Sequence, residues 1–374
     1  MQRRSFLRKA GIGLAGAGAA ALSPAALAQA PEVKWRVATT WTKGLESIWT
    51  PFDNMLKRIS EATGGKFQLQ MFAAGEIVPA PGVIDAVKDG TVQAGYAAGY
   101  FYVGKDPTFA FDTALPFGMN TRQQTAWMYE GGGMQLLRDF FKEYNIYNIP
   151  CGNTTCQMGG WYRKEIKTVA DLKGLKMRIP GLAGQVLQRL GVVPSMIPPP
   201  DVYTALEKGT IDATELATPA IDESANLNRV AKYYYYPSWW EGSAQVSLYV
   251  NMQQWNALPK AYQYLLEFAC AECNIAFQTG QDAKNPPAMK RLVAAGTQLR
   301  PLSNGIMTAC YKVAHELYDE IAAKNPKFKK VYEPWKKFRD EEVEWFSLAE
   351  AHFDNFMIAM ARNEQRAAAK KKGT

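Results

Sequence analysis

Residues 176–215 read KMRIPGLAGQVLQRLGVVPSMIPPPDVYTALEKGTIDATE and contain the most informative pattern in the chain. Apolar alternation predicts a short strand that ends at Arg178. A helix, a Pro-rich turn, a second short helix closed by Gly209 and a strand ending at Glu215 follow. Strands that alternate with helices indicate an α/β domain with parallel strand pairing. The guanidinium of Arg178 is then a planar, bidentate receptor for a small carboxylate, fixed at the end of a strand.

The same alternation occurs nearer the N-terminus, where three strands and two helices are predicted between residues 33 and 102. Two such units predict two similar lobes, as expected for a chain of this length. A strand that begins at Gln245 is predicted to return towards the first lobe. The predicted domains are an export signal (1–28), lobe I (29–150 with parts of 250–330), lobe II (151–250), a C-terminal helix (330–366) and a flexible basic tail (367–374).

The C-terminal third, from Ala261 to Arg366, is predicted to be almost entirely helical, with breaks near Pro286-Pro287, Pro301 and Pro326. Its last long helix carries an apolar stripe of five residues: Val343, Phe346, Ala349, Phe353 and Phe356. A stripe of this kind needs a partner surface, either across the lobes or on a second subunit. We therefore expect a homodimer, and an assembly protein built on this helix is one alternative function.

The first 28 residues are typical of an export signal. Arg3 and Arg4 are followed by an apolar run over residues 10–22 and by a small-residue cleavage motif over 26–28. The apolar run is too short to span a bilayer, and the paired arginines favour the twin-arginine route. The sequence therefore predicts a protein exported to the periplasm.

Charge argues against nucleic acid as a partner. The formal net charge of the whole chain is +8. Four of these positive charges lie in the export signal, which leaves about +4 on the exported chain, and three more lie in the C-terminal tail at 370–372. The body of the protein is close to neutral, unlike the basic surface of a nucleic-acid-binding domain.

Five cysteines are present, and an odd number outside the cytoplasm leaves at least one thiol free. Cys270 and Cys273 form a C-x-x-C pattern inside a helical segment, which favours helix packing over a redox role. No histidine or second cysteine pair lies at the spacing of a zinc site. A disulfide between Cys151 and Cys156 is left open by the sequence.

The sequence contains no convincing catalytic set. It has no G-x-S-x-G, no phosphate-binding loop and no H-E-x-x-H. Nucleophilic catalysis usually needs a base beside the nucleophile, and the two histidines, His315 and His352, are distant in sequence from any promising serine or cysteine. The residues therefore favour binding over catalysis, with an exported enzyme acting on a small acid as the alternative.

Several polar and aromatic residues are candidates for a ligand site. Glu215 ends a strand, and open α/β sheets bind ligands beyond the carboxyl ends of their strands. Gln157 lies between two predicted strands and offers a neutral oxygen, while Glu241 follows an aromatic run that can form the apolar wall of a concave site. The predicted wall residues are Tyr100 and Phe101, which end the third strand of lobe I, and Trp239 and Trp240.

Taken together, these features resemble the solute-binding proteins of TRAP (tripartite, ATP-independent periplasmic) transporters. The resemblance covers essentially the whole chain and is most specific in a motif made of Arg178, Pro180, Leu190-Gly191, Tyr203, Ala205, Leu206, Gly209, Asp212, Ala213 and Glu215. It implies a two-lobe periplasmic-binding-protein-like α/β fold with mixed sheets, an interlobe cleft and long C-terminal helices. It also implies that Arg178 binds the carboxylate of a ligand that is delivered to the membrane permease subunits.

Within that family, GYFYVGKDP (99–107) and YYYYPSWWEG (233–242) resemble the branch that binds 2-oxo or 2-hydroxy monocarboxylates, such as pyruvate or lactate, with a metal ion. The resemblance implies Na⁺ or Ca²⁺ held by Gln157, Glu215, Glu241 and the main-chain carbonyl of Leu216. Leu216 itself departs from the branch, which often has an aromatic residue there. The preferred acid is therefore open.

A charge count supports a cation at such a site. Arg178 contributes one positive charge, whereas Glu215, Glu241 and a monocarboxylate contribute one negative charge each. Burying the resulting double negative charge is unfavourable unless it is paired. A sodium ion would halve the excess and a calcium ion would cancel it, and oxygen-only ligands suit such hard cations.

Overall fold

The computed structural model describes residues 31–372, so the predicted export signal lies outside the described residues. The strands are β1 (Val33–Thr39), β2 (Phe67–Phe72), β3 (Ala94–Ala97), β4 (Ile146–Asn153), β5 (Trp161–Tyr162), β6 (Lys176–Arg178), β7 (Val193–Ser195), β8 (Ala213–Thr214), β9 (Tyr233–Tyr236), β10 (Gln245–Asn251) and β11 (Gln298–Pro301). They form two mixed sheets, which confirms the predicted α/β class.

Helices pack on both sheets and extend beyond them. They are α1 (Glu46–Ala62), α2 (Val83–Lys88), α3 (Thr121–Tyr129), α4 (Gly133–Lys142), α5 (Gly181–Arg189), α6 (Val202–Glu207), α7 (Pro219–Ser224), α8 (Met252–Ala257), α9 (Lys260–Ala294), α10 (Asn304–Lys324), α11 (Pro326–Leu348) and α12 (Glu350–Lys372). None of the helices in residues 31–372 combines the length and the apolar content that crossing a membrane requires.

The first sheet has the strand order β2-β1-β3-β10-β4. β1 is parallel to β2 and β3, and the two connections run through α1 and α2, because parallel neighbours need a crossover that is commonly a helix. β10 is antiparallel to β3 and β4, so the chain returns to the first sheet as the sequence predicted. This return gives the sheet its mixed character.

The second sheet has the order β11-β9-β5-β8-β6-β7. Residues 176–215 supply one of its two parallel parts, since β6 is parallel to β7 and to β8, with α5 and α6 in the connections, and the other parallel pair is β9 and β11. The short strand β7 inside the Pro-rich region was not predicted. Strand β9 was not predicted either, because its four consecutive tyrosines show no alternation of apolar and polar residues and are interpreted as packing residues.

The helical C-terminal third differs from the prediction in four places. α9 continues for 35 residues through Pro286 and Pro287. Both prolines are exposed, so the carbonyls that lack an amide partner can be solvated. Near Pro301 the chain forms β11, and the predicted last helix is two helices, α11 and α12, interrupted at Ala349. α12 extends through residues 367–372, where a flexible tail was predicted.

The five cysteines, all within the described residues, are free thiols, so Cys151 and Cys156 are not bridged. Cys151 lies in β4 and contacts Cys270 and Cys273 of α9, and all three are fully buried. The C-x-x-C pattern therefore packs a helix on the first sheet, as the sequence predicted.

Candidate functional site

Arg178 is the last residue of β6, and its side chain is only 1% exposed. Its Nη1 donates to Oε2 of Glu215 at 2.8 Å and to the main-chain oxygen of Glu215 at 2.5 Å, while Nε donates to the carbonyl of Ile197 at 3.0 Å. Nη2 makes no hydrogen bond with the described residues. The guanidinium is thus fixed by three bonds and keeps one nitrogen for a ligand.

Glu215 directly follows β8, the parallel neighbour of β6, and register places Arg178 opposite Thr214. The carboxyl ends of the two strands therefore meet, and the amide of Glu215 donates to the carbonyl of Arg178 at 3.0 Å. Glu215 is fully buried. Burial raises the pKa of Glu215 to about 7, while the positive charge of Arg178 acts in the opposite direction.

Gln157 and Glu241 lie on the two segments that join the sheets, one between β4 and β5 and the other between β9 and β10. The segments run side by side, since the amide of Gln157 donates to the carbonyl of Glu241 at 3.1 Å and the amide of Ser238 donates to the carbonyl of Gln157 at 3.3 Å. Both side chains are at least 97% buried. Burial, and then the charge of Glu215, raise the pKa of Glu241 well above its usual range.

Three buried side-chain oxygens in this region have no hydrogen-bond partner among the described residues: Oε1 of Glu215, Oε2 of Glu241 and Oε1 of Gln157. Unpaired buried acceptors are unfavourable unless a partner is supplied. Two carboxylate oxygens and an amide oxygen are the donor atoms that a hard cation prefers. Within residues 31–372 no three His, Cys, Asp or Glu side chains form a metal cluster, so a cation here depends on neutral oxygens.

An inner cavity of about 10 Å³, room for about one water, lies between the sheets at this site. Its polar lining includes Gln157 and Thr154, and the remainder is apolar or aromatic: Trp41, Leu45, Ile48, Ala98, Tyr100, Leu216, Ala217, Ile221, Ala244 and Val246. Both sheets contribute to this wall. The structure therefore brings Arg178, Glu215, Glu241, Gln157, Leu216 and Tyr100 together.

Tyr100 lies in a 3-10 helix (Gly99–Tyr102) after β3, rather than on the predicted strand. It is buried, and burial followed by the charges of Glu241 and Glu215 raises its pKa well above the usual range, which keeps the hydroxyl protonated. No hydrogen bond of this hydroxyl to a described residue is present. Tyr100 is thus a donor beside the unpaired oxygens.

The other predicted wall residues lie elsewhere. Phe101 lines a separate, larger cavity. Trp239 stacks on Phe117 with ring centroids 5.2 Å apart, and Trp240 packs edge-on against Trp239 at 4.9 Å, both outside the lining of the inner cavity. The density of the aromatic run suggested a wall, but these rings are used to pack the segment that carries Glu241.

Three residues at the site were not predicted. Thr154 accepts a hydrogen bond from Nε2 of Gln157 at 2.9 Å, which turns the amide oxygen towards the cavity. Asp222 of α7 accepts from the amide of Ala217 at 3.0 Å and so fixes the loop that carries the Leu216 carbonyl. Trp41 follows β1, and its position beyond the carboxyl end of a parallel strand is the one sequence signal that could have found it.

Comparison with known proteins places the chain in a family. The profile of the bacterial extracellular solute-binding proteins, family 7, matches residues 38–325. The monocarboxylate 2-oxoacid-binding periplasmic protein of Nostoc sp. (strain PCC 7120) is 46% identical over 326 residues, which cover 87% of this chain and 89% of that protein.

Two solved structures are similar over almost their whole length. A TRAP transporter solute-binding protein from Bordetella bronchiseptica is 47% identical, with a TM-score of 0.88 and coverage of 89% of this chain and 99% of that one. It is a mixed-occupancy dimer with copurified calcium and picolinate in one active site and an apo site in the other. A TRAP periplasmic solute-binding protein from Pseudoalteromonas atlantica, with bound sodium and pyruvate, is 36% identical, with a TM-score of 0.84 and coverage of 87% and 99%.

The profile match spans well over half of the chain, and the relative from Nostoc is similar along nearly its full length. Proteins of this family are solute-binding receptors, and membership implies the periplasm as the compartment. The chain belongs to the bacterial extracellular solute-binding proteins of family 7 and is a solute receptor of the TRAP transporter type.

Proposed function

We propose that this receptor captures a small 2-oxo or 2-hydroxy monocarboxylate together with Na⁺ or Ca²⁺ and delivers it to the TRAP membrane permease. The observation that carries the proposal is the set of unpaired, buried oxygens of Glu215, Glu241 and Gln157 beside the fixed guanidinium of Arg178. An anion receptor next to cation-binding oxygens suits a ligand that offers a carboxylate and a neighbouring oxygen. The calcium, sodium and pyruvate bound by the similar proteins support the same ligand class.

In this proposal Arg178 receives the carboxylate through Nη2, and Tyr100 donates its hydroxyl to the ligand. Gln157, Glu215, Glu241 and the Leu216 carbonyl would hold the cation, whose charge would favour a ligand that carries a 2-oxygen beside its carboxylate. A simple fatty acid lacks that 2-oxygen, so it would bind more weakly. The inner cavity must widen to admit both, which occurs if ligands enter an open form and the lobes then close by hinge motion.

The test is calorimetry of pyruvate and lactate binding with and without the cation. In buffer that contains calcium or sodium we expect enthalpic, one-site binding, whereas in chelated, sodium-free buffer the affinity should fall by at least tenfold. Acetate, which has the carboxylate but no 2-oxygen, is the matched control and should bind weakly in both buffers. Unchanged affinity for pyruvate after removal of both cations would contradict the cation site.

We propose a receptor without catalytic activity rather than an exported enzyme. Neither histidine is at the site, since His315 contacts Tyr311 and Arg339 on the C-terminal helices and His352 is exposed on α12. Incubation of the purified protein with pyruvate, lactate and related acids, followed by chromatography, should return the acids unchanged. Turnover above that of a heat-treated sample would favour the enzyme.

The lobe boundaries are also part of the proposal. Each mixed sheet is the core of one lobe. The predicted ranges are residues 29–150 with parts of 250–330 for lobe I and residues 151–250 for lobe II, and the sheets shift them so that β10 belongs to lobe I and β11 to lobe II. Support comes from the paired segments that join the sheets, where the amide of Thr154 donates to the carbonyl of Ala244 at 3.0 Å. Gln157 and Glu241 lie on these segments, so binding a cation there would couple ligand capture to lobe closure.

We further propose a homodimer through α12. Every residue of α12 whose burial is described from position 351 onwards is exposed, including Phe353, Phe356 and Met360 on one face. A groove lined by Tyr129, Trp345 and Phe346 lies nearby. The dimer of the Bordetella bronchiseptica relative supports a second copy as the partner of this helix.

We also propose export by the twin-arginine route, which can be tested in a strain that expresses the full chain. Replacing Arg3 and Arg4 with lysine keeps the positive charge of the signal but removes the paired arginines. We expect the precursor to accumulate in the cytoplasm, as measured by cell fractionation and immunoblotting. Normal export of the double variant would instead favour the general secretory route.

A further inference from the structure

A second cavity, of about 150 Å³, adjoins the candidate site on the outer side of the cleft. Its first wall comes from the side of the first sheet and comprises Thr40, Ala80, Pro81 and Phe101, while its second wall is the Met196–Pro199 segment that follows β7. Because both sheets contribute, the cavity belongs to the cleft between them.

The cavity is connected to the anion site through Arg178 and Ile197. Nε of Arg178 donates to the carbonyl of Ile197 at 3.0 Å, and Ile197 also lines the cavity. The guanidinium therefore lies directly behind one cavity wall. A ligand whose carboxylate is held by Arg178 has its remaining atoms within reach of this space.

Phe101 separates the outer cavity from the inner one. Its ring centroid lies 4.8 Å from that of Tyr100 and 5.7 Å from that of Trp41, and both of these residues line the inner cavity. Phe101 itself is half-buried and lines the outer cavity. A change of its side-chain rotamer would join the two spaces.

Size and lining indicate what the outer cavity can hold. The inner cavity, at about 10 Å³, has no room for a ligand side chain, whereas an apolar cavity of roughly 150 Å³ accommodates a group the size of benzene. The lining is apolar except for the hydroxyl of Thr40, which is buried and has no hydrogen-bond partner among the described residues. The space therefore suits an aliphatic group of a few carbon atoms.

The geometry points to the outer cavity as a side-chain subsite, so that this receptor binds 2-oxo acids of five or six carbons in preference to pyruvate. Phe101 is then the residue that sets chain-length specificity, by moving aside for the longer side chain. This inference rests on the proposed function, since it requires Arg178 to hold the carboxylate of a 2-oxo acid.

The first test is a chain-length series measured by calorimetry in saturating calcium: pyruvate, 2-oxobutanoate, 2-oxopentanoate and 4-methyl-2-oxopentanoate. Affinity should rise roughly fourfold for each added methylene, because each one leaves water for an apolar space. Binding of pyruvate with flat or falling affinity along the series would overturn the subsite and leave the proposed function intact. Failure of every acid to bind would remove the proposed function and the subsite together.

The second test fills the cavity. Ala80→Leu should weaken binding of 4-methyl-2-oxopentanoate at least tenfold and change that of pyruvate by less than twofold. Ala170→Leu makes the same change at an exposed position, in the 3-10 helix Val169–Leu172, and should alter neither affinity. If Ala80→Leu lowers the melting temperature, Met196→Trp fills the space from the opposite wall, at a side chain that is 44% exposed. Equal loss for both acids, or no loss in either filling variant, would contradict the subsite.

The third test identifies the occupant. Thr40→Val keeps the shape of the side chain and removes its hydroxyl. If the occupant is an aliphatic side chain, 4-methyl-2-oxopentanoate should bind the variant at least as tightly as the wild type. Weaker binding of that acid would mean that a water or a polar group bonded to Thr40 occupies the cavity, which would overturn the inference.

Discussion

Arg178 and Glu215 show how a buried ion pair can serve binding rather than stability. Desolvation of both charges opposes the attraction between them, so such a pair is weak evidence for a stabilising role. Here the guanidinium also holds two main-chain carbonyls, which fixes its direction, and the second carboxylate oxygen of Glu215 is left without a partner. The ion pair therefore leaves one guanidinium nitrogen and one carboxylate oxygen available to a ligand.

At this scale Arg178→Lys is the most direct test. Lysine keeps the charge but cannot make three directed bonds to Glu215 and Ile197 while presenting a further nitrogen to the ligand. We expect affinity for the 2-oxo acid to fall by about 2–5 kcal/mol, as for other buried, hydrogen-bonded charge pairs. Arg189→Lys, in the surface pair with Glu320, is the control and should change calorimetric affinity by less than twofold. Near-normal binding by Arg178→Lys would exclude Arg178 as the anchor.

Glu241→Gln distinguishes the effect of Glu241 on ligand affinity from its effect on the stability of the protein. The change keeps an acceptor oxygen but prevents the ionisation that cation binding needs, whereas the raised pKa of Glu241 already favours the neutral carboxyl in the ligand-free protein. We expect calcium-dependent ligand affinity to fall at least tenfold, while the urea stability of the ligand-free protein stays close to that of the wild type, because a neutral amide replaces a largely neutral carboxyl. Glu223→Gln at the surface is the control. Loss of stability together with retained affinity would contradict the assignment.

Asp112 provides a pH prediction away from the cation site. Burial raises the pKa of Asp112 to about 7, although Tyr249 and Asn148 donate hydrogen bonds to it. The folded state therefore keeps its proton to higher pH than the unfolded state, and this group's contribution to stability falls between about pH 4 and pH 7. Asp112→Asn should lose that slope, which approaches about 1.4 kcal/mol per pH unit for one proton.

Urea unfolding of both proteins at intervals between pH 4 and pH 7 measures this difference. Exposed Asp89→Asn is the control and should leave the slope as in the wild type. An identical slope in Asp112→Asn and wild type would show that Asp112 ionises in the folded state as it does in the unfolded chain.

Among the elements, α9 departs most from its sequence pattern. Prolines normally end a helix, yet α9 continues through Pro286 and Pro287 because contacts on both sides hold it. Before the prolines, Gln281 accepts from the hydroxyl of Thr218 at 2.8 Å and donates to the carbonyl of Ser47 at 3.1 Å, so it ties α7 to α1. After them, Leu292 is buried. Tertiary packing thus overrides local propensity.

Pro286→Ala should therefore stabilise the protein. Alanine restores an amide donor inside the helix, and we expect a gain of about 1–3 kcal/mol in the free energy of unfolding, reduced somewhat by greater freedom of the unfolded chain. Pro326→Ala is the control, because a proline at the first position of α11 lacks no helical hydrogen bond, and it should be close to neutral. A lower melting temperature for Pro286→Ala would mean that the proline bends α9 into a required shape.

For the whole molecule, α12 carries exposed apolar residues, and every position from 351 onwards whose burial is described is exposed. Phe353 is 65% exposed and Phe356 is 63% exposed, whereas Phe346 is partly covered by Arg122, 5.1 Å from its ring. Phe346 lines the groove of one copy, and Phe353 lies on the α12 helix of a second copy, which would enter that groove. The sequence stripe thus divides into the two halves of a proposed interface.

The double change Phe353→Glu and Phe356→Glu should give monomers, measured by size-exclusion chromatography with light scattering, because the new charges would lose the apolar contact with Tyr129, Trp345 and Phe346 in a groove that already holds Glu130 and Glu342. Val193→Glu, at another exposed apolar position, is the control and should leave the assembly unchanged. A dimer that survives the double change, or a wild-type protein that is already monomeric, would refute this interface.

Local periodicity and the carboxyl ends of neighbouring strands were enough to predict the α/β class, the unit that runs from the strand ending at Arg178 to the strand ending at Glu215, and the return of β10. The sequence by itself could not determine the unpaired state of the oxygens of Glu215, Glu241 and Gln157, the side-chain contact of Thr154, or the role of Asp222 in fixing the loop at Ala217. Those features arise where the two sheets meet and depend on contacts between distant parts of the chain. Hydrogen-bond satisfaction is a property of such contacts, so only the tertiary structure decided which polar groups remain available to a ligand.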